Sequence, residues 1–241
     1  MQSGIYVALS SQISLERRMN TIADNLANMN TVGFRATQMK FDDVMTRAEG
    51  TKVDYVSTGE EYLSTANGAL VQTENPLDFA VRGDAWFSID TPQGPALTKD
   101  GRFSVLETGQ LVTLQGYPVL DAGGAPIQIN GNAGAPTVSA DGVLYQNNQP
   151  VATLGLFEAN IGANFTRVGN SAIIPNEQPQ PVVDRADIGV AQGYLEQANV
   201  NPIQQMTQMI TVSRNFEYVT QLMRDSETSI SDAVKALGGA R

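Results

Sequence analysis

Ile5, Ala8, Gln12, Leu15, Met19, Ile22, Leu26 and Met29 succeed one another at alternating steps of three and four residues. That spacing is the seam of a coiled coil, interrupted once by Gln12, and it predicts a helix from about Ile5 to Met29. Glu16, Arg17, Asn20 and Asp24 occupy the opposite face. A stop follows in Asn30-Thr31-Val32-Gly33-Phe34, where Gly33 suits the left-handed residue that closes a helix and Phe34 could fold back onto Met29. Near the other end Met209, Val212, Phe216, Val219, Met223, Ser226, Ile230, Ala233 and Leu237 repeat the same steps. Asn201 suits the N-cap of that second helix and Pro202 its first position, where a missing N–H costs nothing. Gly238-Gly239 ends it, about 35 residues and about 50 Å later.

All eleven prolines lie between Pro76 and Pro202, and the intervening sequence reads as short strands and turns. Arg82-Gly83-Asp84 between Phe79–Val81 and Trp86–Ile89 reads as a tight hairpin. Lys99-Asp100-Gly101-Arg102 between Ala96–Thr98 and Phe103–Leu106 reads as another. Asp141-Gly142 between Thr137-Val138 and Val143–Tyr145 is a third, because Asp-Gly tolerates positive φ. Asn176 to Pro181 looks irregular, and the chain returns through Ile188–Val190. Turn signals every 8–12 residues fit a sandwich or barrel. The expected fold class is α+β, with long terminal helices pairing as a coiled coil and a central all-β domain. The segments are 1–35 for the first helix and its cap, 36–75 for an extended linker with some strand, 76–188 for the β domain and 189–241 for the last helix.

Composition removes whole classes of chemistry. The 241 residues contain no cysteine and no histidine, so thiolate nucleophiles, imidazole bases and zinc sites of the usual ligands are excluded. A net charge of −10 gives no pull toward phosphate backbones or anionic lipid. No apolar run approaches the ~20 residues of a membrane span. The first residues lack a basic region followed by an apolar one, so no cleavable secretory signal is expected. No P-loop, dinucleotide fingerprint or calcium loop appears, and Gly123-Gly124 and Gly131-Asn132-Ala133-Gly134 are too loose to mean phosphate binding. Asp84, Asp90, Asp100, Glu107 and Asp121 leave a two-carboxylate hydrolase open as a remote alternative. Most of them sit at turns, where Asp serves the backbone. No catalytic, cofactor-binding or metal-binding residue is assigned.

The helix-stop region also carries a likeness. Asn25-Leu26-Ala27-Asn28, then Thr31, Gly33-Phe34 and Arg35 resembles the N-terminal signature of the rod and hook proteins of the bacterial flagellum. Asn75–Val81, Leu97–Phe103, Gly109–Thr113 and Gly116–Leu120 resemble the central signatures of that family. Gly193–Asn201 and Arg214–Glu217 resemble its C-terminal one. Length, Phe216 and the Ile5-Tyr6 start are more similar to proximal-rod members, with the distal rod or another axial subunit as the alternative. One departure is Gly83-Asp84-Ala85-Trp86-Phe87, where the family has a second glycine in place of Ala85, so the local turn is expected to differ.

The resemblance implies a structural subunit, not an enzyme, that assembles into a helical shaft across the periplasm and encloses the export channel. It implies export by the flagellar type III apparatus. The implied partners are copies of the chain and other rod proteins, with no nucleic acid, membrane insertion, small-molecule substrate or cofactor. The assembly seam is then Ile5, Leu15, Met19, Ile22, Leu26, Met29, Met209, Val212, Phe216, Val219, Met223, Ile230 and Leu237. The stop and family motif are Asn25, Asn28, Thr31, Gly33 and Phe34, and the second helix is capped by Asn201 and Pro202.

Overall fold

Helical periodicity at the two ends produces two long helices, α1 (Gln2–Ala27) and, after the β region, α2 (Pro202–Gly238). The computed structural model describes residues 2–41, 43–48, 51–57, 59–131, 133–161, 163, 165–183 and 185–238. Gly239, the second half of the expected glycine stop, and Asn132 lie outside the described residues. Between the helices run β1 (Thr37–Lys40), β2 (Asp43–Ala48), β3 (Thr51–Val56), β4 (Glu60–Leu63), β5 (Leu70–Gln72), β6 (Phe79–Arg82), β7 (Trp86–Thr91), β8 (Gly94–Thr98), β9 (Phe103–Val105) and β10 (Leu111–Thr113). They continue as β11 (Thr137–Val138), β12 (Val143–Gln146), β13 (Gln149–Thr153), β14 (Leu156–Glu158), β15 (Thr166–Val168), β16 (Ala172–Ile174), β17 (Gln180–Pro181), β18 (Gly189–Gln192) and β19 (Tyr194–Glu196). The chain is therefore α+β. It forms two compact units, one of residues 1–27, 38–61 and 201–241, the other of residues 28–37 and 62–200.

In the first unit, α1 packs beside α2 and against β3, which forms an antiparallel hairpin with β2. Ser14 is buried in α1, and its one hydroxyl proton has two carbonyl acceptors within reach, Ser10 of its own helix at 2.9 Å and Ser57 at 3.0 Å. Helix α2 opens as its residues dictate. The Asn201 side-chain oxygen accepts from the Gln204 N–H at 3.2 Å, and Pro202 is the first helical residue. Asn201→Ala is expected to cost about 1 kcal/mol of helix stability, read as a lower melting temperature of the helical circular-dichroism signal.

In the second unit, a six-stranded sheet runs β15-β16-β8-β7-β14-β17. Alternation in these strands turns Phe87, Ile89 and Ala96 into a core with Phe79, Phe103, Leu111, Val119, Ile127, Leu144 and Leu154. Phe103 is the aromatic hub, edge-on to Phe87 at 5.3 Å and tilted against Phe79 at 5.9 Å. Burying aromatic rings in this way stabilises by roughly 25 cal/mol per Å² of apolar surface, with a further increment for ring geometry.

Two expected hairpins are not formed, for one reason. β6 does not pair with β7; it pairs with β18, and β7 pairs with β8 and β14. The turn residues are locally sound, since Gly83 adopts φ +86. That glycine holds the positive φ of the turn, so Ala85 needs none and sits fully buried. Likewise β8 pairs with β7 and β16, and β9 with β10, so Asp100-Gly101 is not a hairpin tip. It is a crossing point: the Phe79 N–H donates to the Gly101 carbonyl, and a Cβ on Gly101 would collide with the Phe79 backbone. Asp141-Gly142 does join a paired β11 and β12. Turn chemistry states that the chain bends; which strands then pair depends on partners distant in sequence.

Candidate functional site

The seam positions of α2 are its less exposed ones. Val212 is buried, and Met209, Phe216, Val219, Met223 and Ile230 are half-buried, while Leu237 stays exposed. In α1, Ile22 is buried and Ile5, Leu15, Met19 and Leu26 are half-buried. Gln12, the polar break in the first seam, donates its amide to the Thr220 hydroxyl at 3.4 Å. Helices α1 and α2 pack beside each other, and the Gln12–Thr220 contact between them falls at the polar seam position.

A second apolar stripe is left uncovered. Tyr6, Leu9 and Ile13 are exposed on α1, and Ile203, Met206, Ile210, Tyr218 and Leu222 on α2. Tyr218 and Leu222 are 70% and 65% exposed. Large apolar side chains repeated along one helix face and left to solvent mark an interaction surface.

In the second unit the N- and C-terminal motifs meet. α1 stops at Ala27, and Asn28 to Asn30 form a turn in which the Thr31 N–H donates to the Asn28 carbonyl at 3.0 Å. Gly33 has the expected left-handed φ of +69, but it lies six residues past the helix and does not close it. Its N–H donates to the Glu196 carbonyl at 2.7 Å, and a Cβ there would enter the backbone of Lys99 and Asp100. The glycine is needed for close approach between distant segments, with no bond back to α1. Phe34 is buried beneath the Arg167 guanidinium, 4.6 Å from its ring centre. The Asn199 N–H donates to the Phe34 carbonyl, and the Asn199 side-chain oxygen accepts from the Ala36 N–H at 2.7 Å. Asn25 is buried, and Met29 and Asn28 are half-buried.

Beneath this ladder lies a buried charge cluster. Glu196, 2% exposed, pairs with Arg35 at 2.8 Å and Lys99 at 3.6 Å, and accepts the Gly68 N–H at 2.8 Å. Arg35 also donates to the Ala66 carbonyl and the Asn67 side chain, and Lys99 donates to the Gly83 carbonyl. Both cations lie over Trp86, at 5.5 and 5.4 Å from its ring centre. The cluster joins four sequence-distant strings that the resemblance rests on or flanks. Sequence reasoning quoted Arg35, Lys99 and Glu196 inside motifs and missed their meeting. No local signal marked them, since Lys99 stands beside Asp100 and Arg102 and nothing in the strings tells which charge becomes buried.

Burial lowers the Arg35 guanidinium below its ordinary range against the attraction of Glu196. Burial also pushes the Lys99 ammonium down to about 8, opposed by Glu196 and Asp84 and reinforced by Arg35. Between about 8 and 10.5 the unfolded chain therefore holds a proton that the folded chain has released. Stability from this group is full above that window and is lost as pH falls through its lower end. Urea unfolding of the protein and of Lys99→Met across the window is expected to show the unmodified chain gaining on the variant as pH rises. A constant difference contradicts the assignment.

Two of the carboxylates considered for hydrolysis, Asp100 and Asp121, serve structure. Asp100 is buried and forms a two-point pair with Arg102 at 2.6 and 2.9 Å. Asp121 accepts the N–H groups of Gly123 and Ala125 in its turn. Among the described residues no group of acidic side chains could hold a metal ion, and no helix is long and apolar enough to cross a membrane.

Three family patterns match along the chain. Residues 5–35 match the family described as "Flagella basal body rod protein", residues 80–146 the "Flagellar hook protein FlgE/F/G D1 domain", and residues 191–235 the "Flagellar basal body rod FlgEFG protein C-terminal". The chain is 61% identical over 241 residues to the flagellar basal-body rod protein FlgF of Rhizobium meliloti, covering 100% of both. It is 53% identical over 238 residues to FlgF of Mesorhizobium japonicum, covering 99% of each. It is 28% identical over 261 residues to the flagellar basal-body rod protein FlgG of Bacillus subtilis, covering 97% of this chain and 98% of that one. Helices at both ends, motifs that lock together at the charge cluster, and likeness along the whole length converge on one conclusion: this chain belongs to the flagellar basal-body rod protein family.

Proposed function

We propose that this chain is a structural subunit of the proximal rod of the flagellar basal body and not an enzyme. The observation that carries this reading is the 61% identity extending over all of both chains to a basal-body rod protein FlgF, against 28% to a FlgG. The physical reading supports it. A shaft needs contacts on several sides of each subunit, and a head-to-tail interface whose rotation does not close generates an open helix of subunits. The uncovered stripe on α1 and α2 is the surface such contacts require, and the seam residues supply the pairing within the subunit. With neighbours present, the two stripes together make each terminal helix a member of a coiled-coil tube.

In this arrangement the terminal helices line the export channel and the β domain faces outward. The subunit reaches its place through the flagellar type III apparatus and works in the periplasm, with copies of itself and other rod proteins as partners. Close-packed apolar contacts resist shear because interiors are nearly as dense as organic crystals, which is how torque passes along the shaft. The test is a density map of basal bodies isolated from a strain carrying this chain. Tracing it in the proximal rod supports the reading. Its appearance only distal to that level assigns it to the distal rod instead.

A further inference from the structure

A cavity of about 200 Å³ opens beside the charge cluster in the second unit, lined among others by Arg35, Lys99, Trp86, Leu63 and Ile161, with Asp84 beside them. Its two cations face one buried carboxylate, Glu196, and one exposed carboxylate, Asp84, which also lines the cavity. Arg35 and Lys99 share one buried carboxylate, Glu196, which also accepts the Gly68 N–H. The Arg35 Nε–H is buried and has no hydrogen-bond partner among the described residues, although Arg35 is only 3% exposed. A buried, unsatisfied guanidinium N–H is costly, and a carboxylate is the acceptor that best relieves it. One side of the wall is apolar, with Leu63 and Trp86 buried and Ile161 packed against them, while Ser64, Thr65 and Asn160 add polar groups to the lining. Asp84 is exposed and receives the Asn67 amide at 3.3 Å, so its charge is screened by solvent.

We propose that this cavity binds a short aliphatic carboxylate, with its head on Arg35 Nε and Lys99 and its tail against Trp86, Leu63 and Ile161. The volume suits a group the size of propionate or of an acidic side chain. The donor can therefore be a free small acid or an Asp or Glu side chain of a second copy of this chain.

Trp86 is the sole tryptophan, so its fluorescence reports the site directly. The full chain is titrated with propionate at constant ionic strength, with chloride and propionamide as controls. A saturable change with propionate alone is expected. Ile161→Phe, which fills the cavity without touching a charge, abolishes it, and Lys99→Met weakens it at least tenfold. Asp84→Asn, which removes the repelling charge, tightens it several-fold. No saturation, an equal response to chloride or propionamide, or a response unchanged in Ile161→Phe overturns the proposal. Circular dichroism shows each variant is folded, and if Lys99→Met is not, Ile161→Phe and Asp84→Asn carry the test. Raising protein concentration without propionate separates the sources. A Trp86 change that propionate reverses, together with dissociation of oligomers, identifies the side chain of a second copy. A propionate response independent of protein concentration identifies the free acid.

Discussion

Glu196→Gln is expected to lower the unfolding free energy by about 3–5 kcal/mol, the usual consequence of removing one partner of a buried ion pair. Arg35 and Lys99 would remain buried with their charges and lose the shared carboxylate. The Gly68 N–H would keep an amide oxygen as acceptor, so most of the loss is electrostatic. The effect extends beyond the cluster, because the Glu196 main chain also receives the Gly33 N–H and so ties the two terminal motifs together. Urea unfolding followed by Trp86 fluorescence measures it. Replacing all three charges at once, as Arg35→Met, Lys99→Met and Glu196→Leu, is expected to recover much of the loss, since isolated buried charges cost more than an apolar cluster of similar volume. A single-variant loss below ~1 kcal/mol would mean that water reaches the cluster and screens it.

Leu222→Asp is expected to leave the monomer folded while abolishing rod assembly and swimming. Leu222 is 65% exposed, so an aspartate there meets water in the free chain. In the assembled shaft the same charge would be buried without a partner, a cost of several kcal/mol per interface. Phe216→Asp, at a half-buried position of α2, is expected to block assembly as well, but by weakening the first unit itself. The two variants separate the two stripes. Unchanged melting with no basal-body incorporation for Leu222→Asp, and lowered melting for Phe216→Asp, is the predicted pattern. Normal swimming in cells carrying only Leu222→Asp would falsify the placement of the outer stripe at a subunit interface.

The helices were legible because an amphipathic helix is written in its own residues. The three-and-four spacing from Ile5 and from Met209 marks a helical period, and Asn201-Pro202 marks where α2 begins. The Asp141-Gly142 hairpin was legible for a similar reason, since its two strands are neighbours in sequence. Arg82-Gly83-Asp84 and Asp100-Gly101 misled, although both are real turns, because β6 finds β18 more than a hundred residues later and Gly101 meets the Phe79 backbone. Gly33 misled in the same way. Its left-handed φ was foreseeable, but the use of that φ lies in the approach of residues 99–100 and 196.

By itself the sequence determined that the chain has helical ends, a β middle, no thiol or imidazole chemistry and the motif order of a flagellar rod protein. These follow from local periodicity, composition and residue identity, which need no partner to be expressed. Only the tertiary structure decided the strand pairings, the outer apolar stripe and the burial of Arg35, Lys99 and Glu196 as one unit around Trp86. Those depend on segments brought together across much of the chain, where desolvation turns three ordinary charges into a cluster whose members can no longer be changed one at a time.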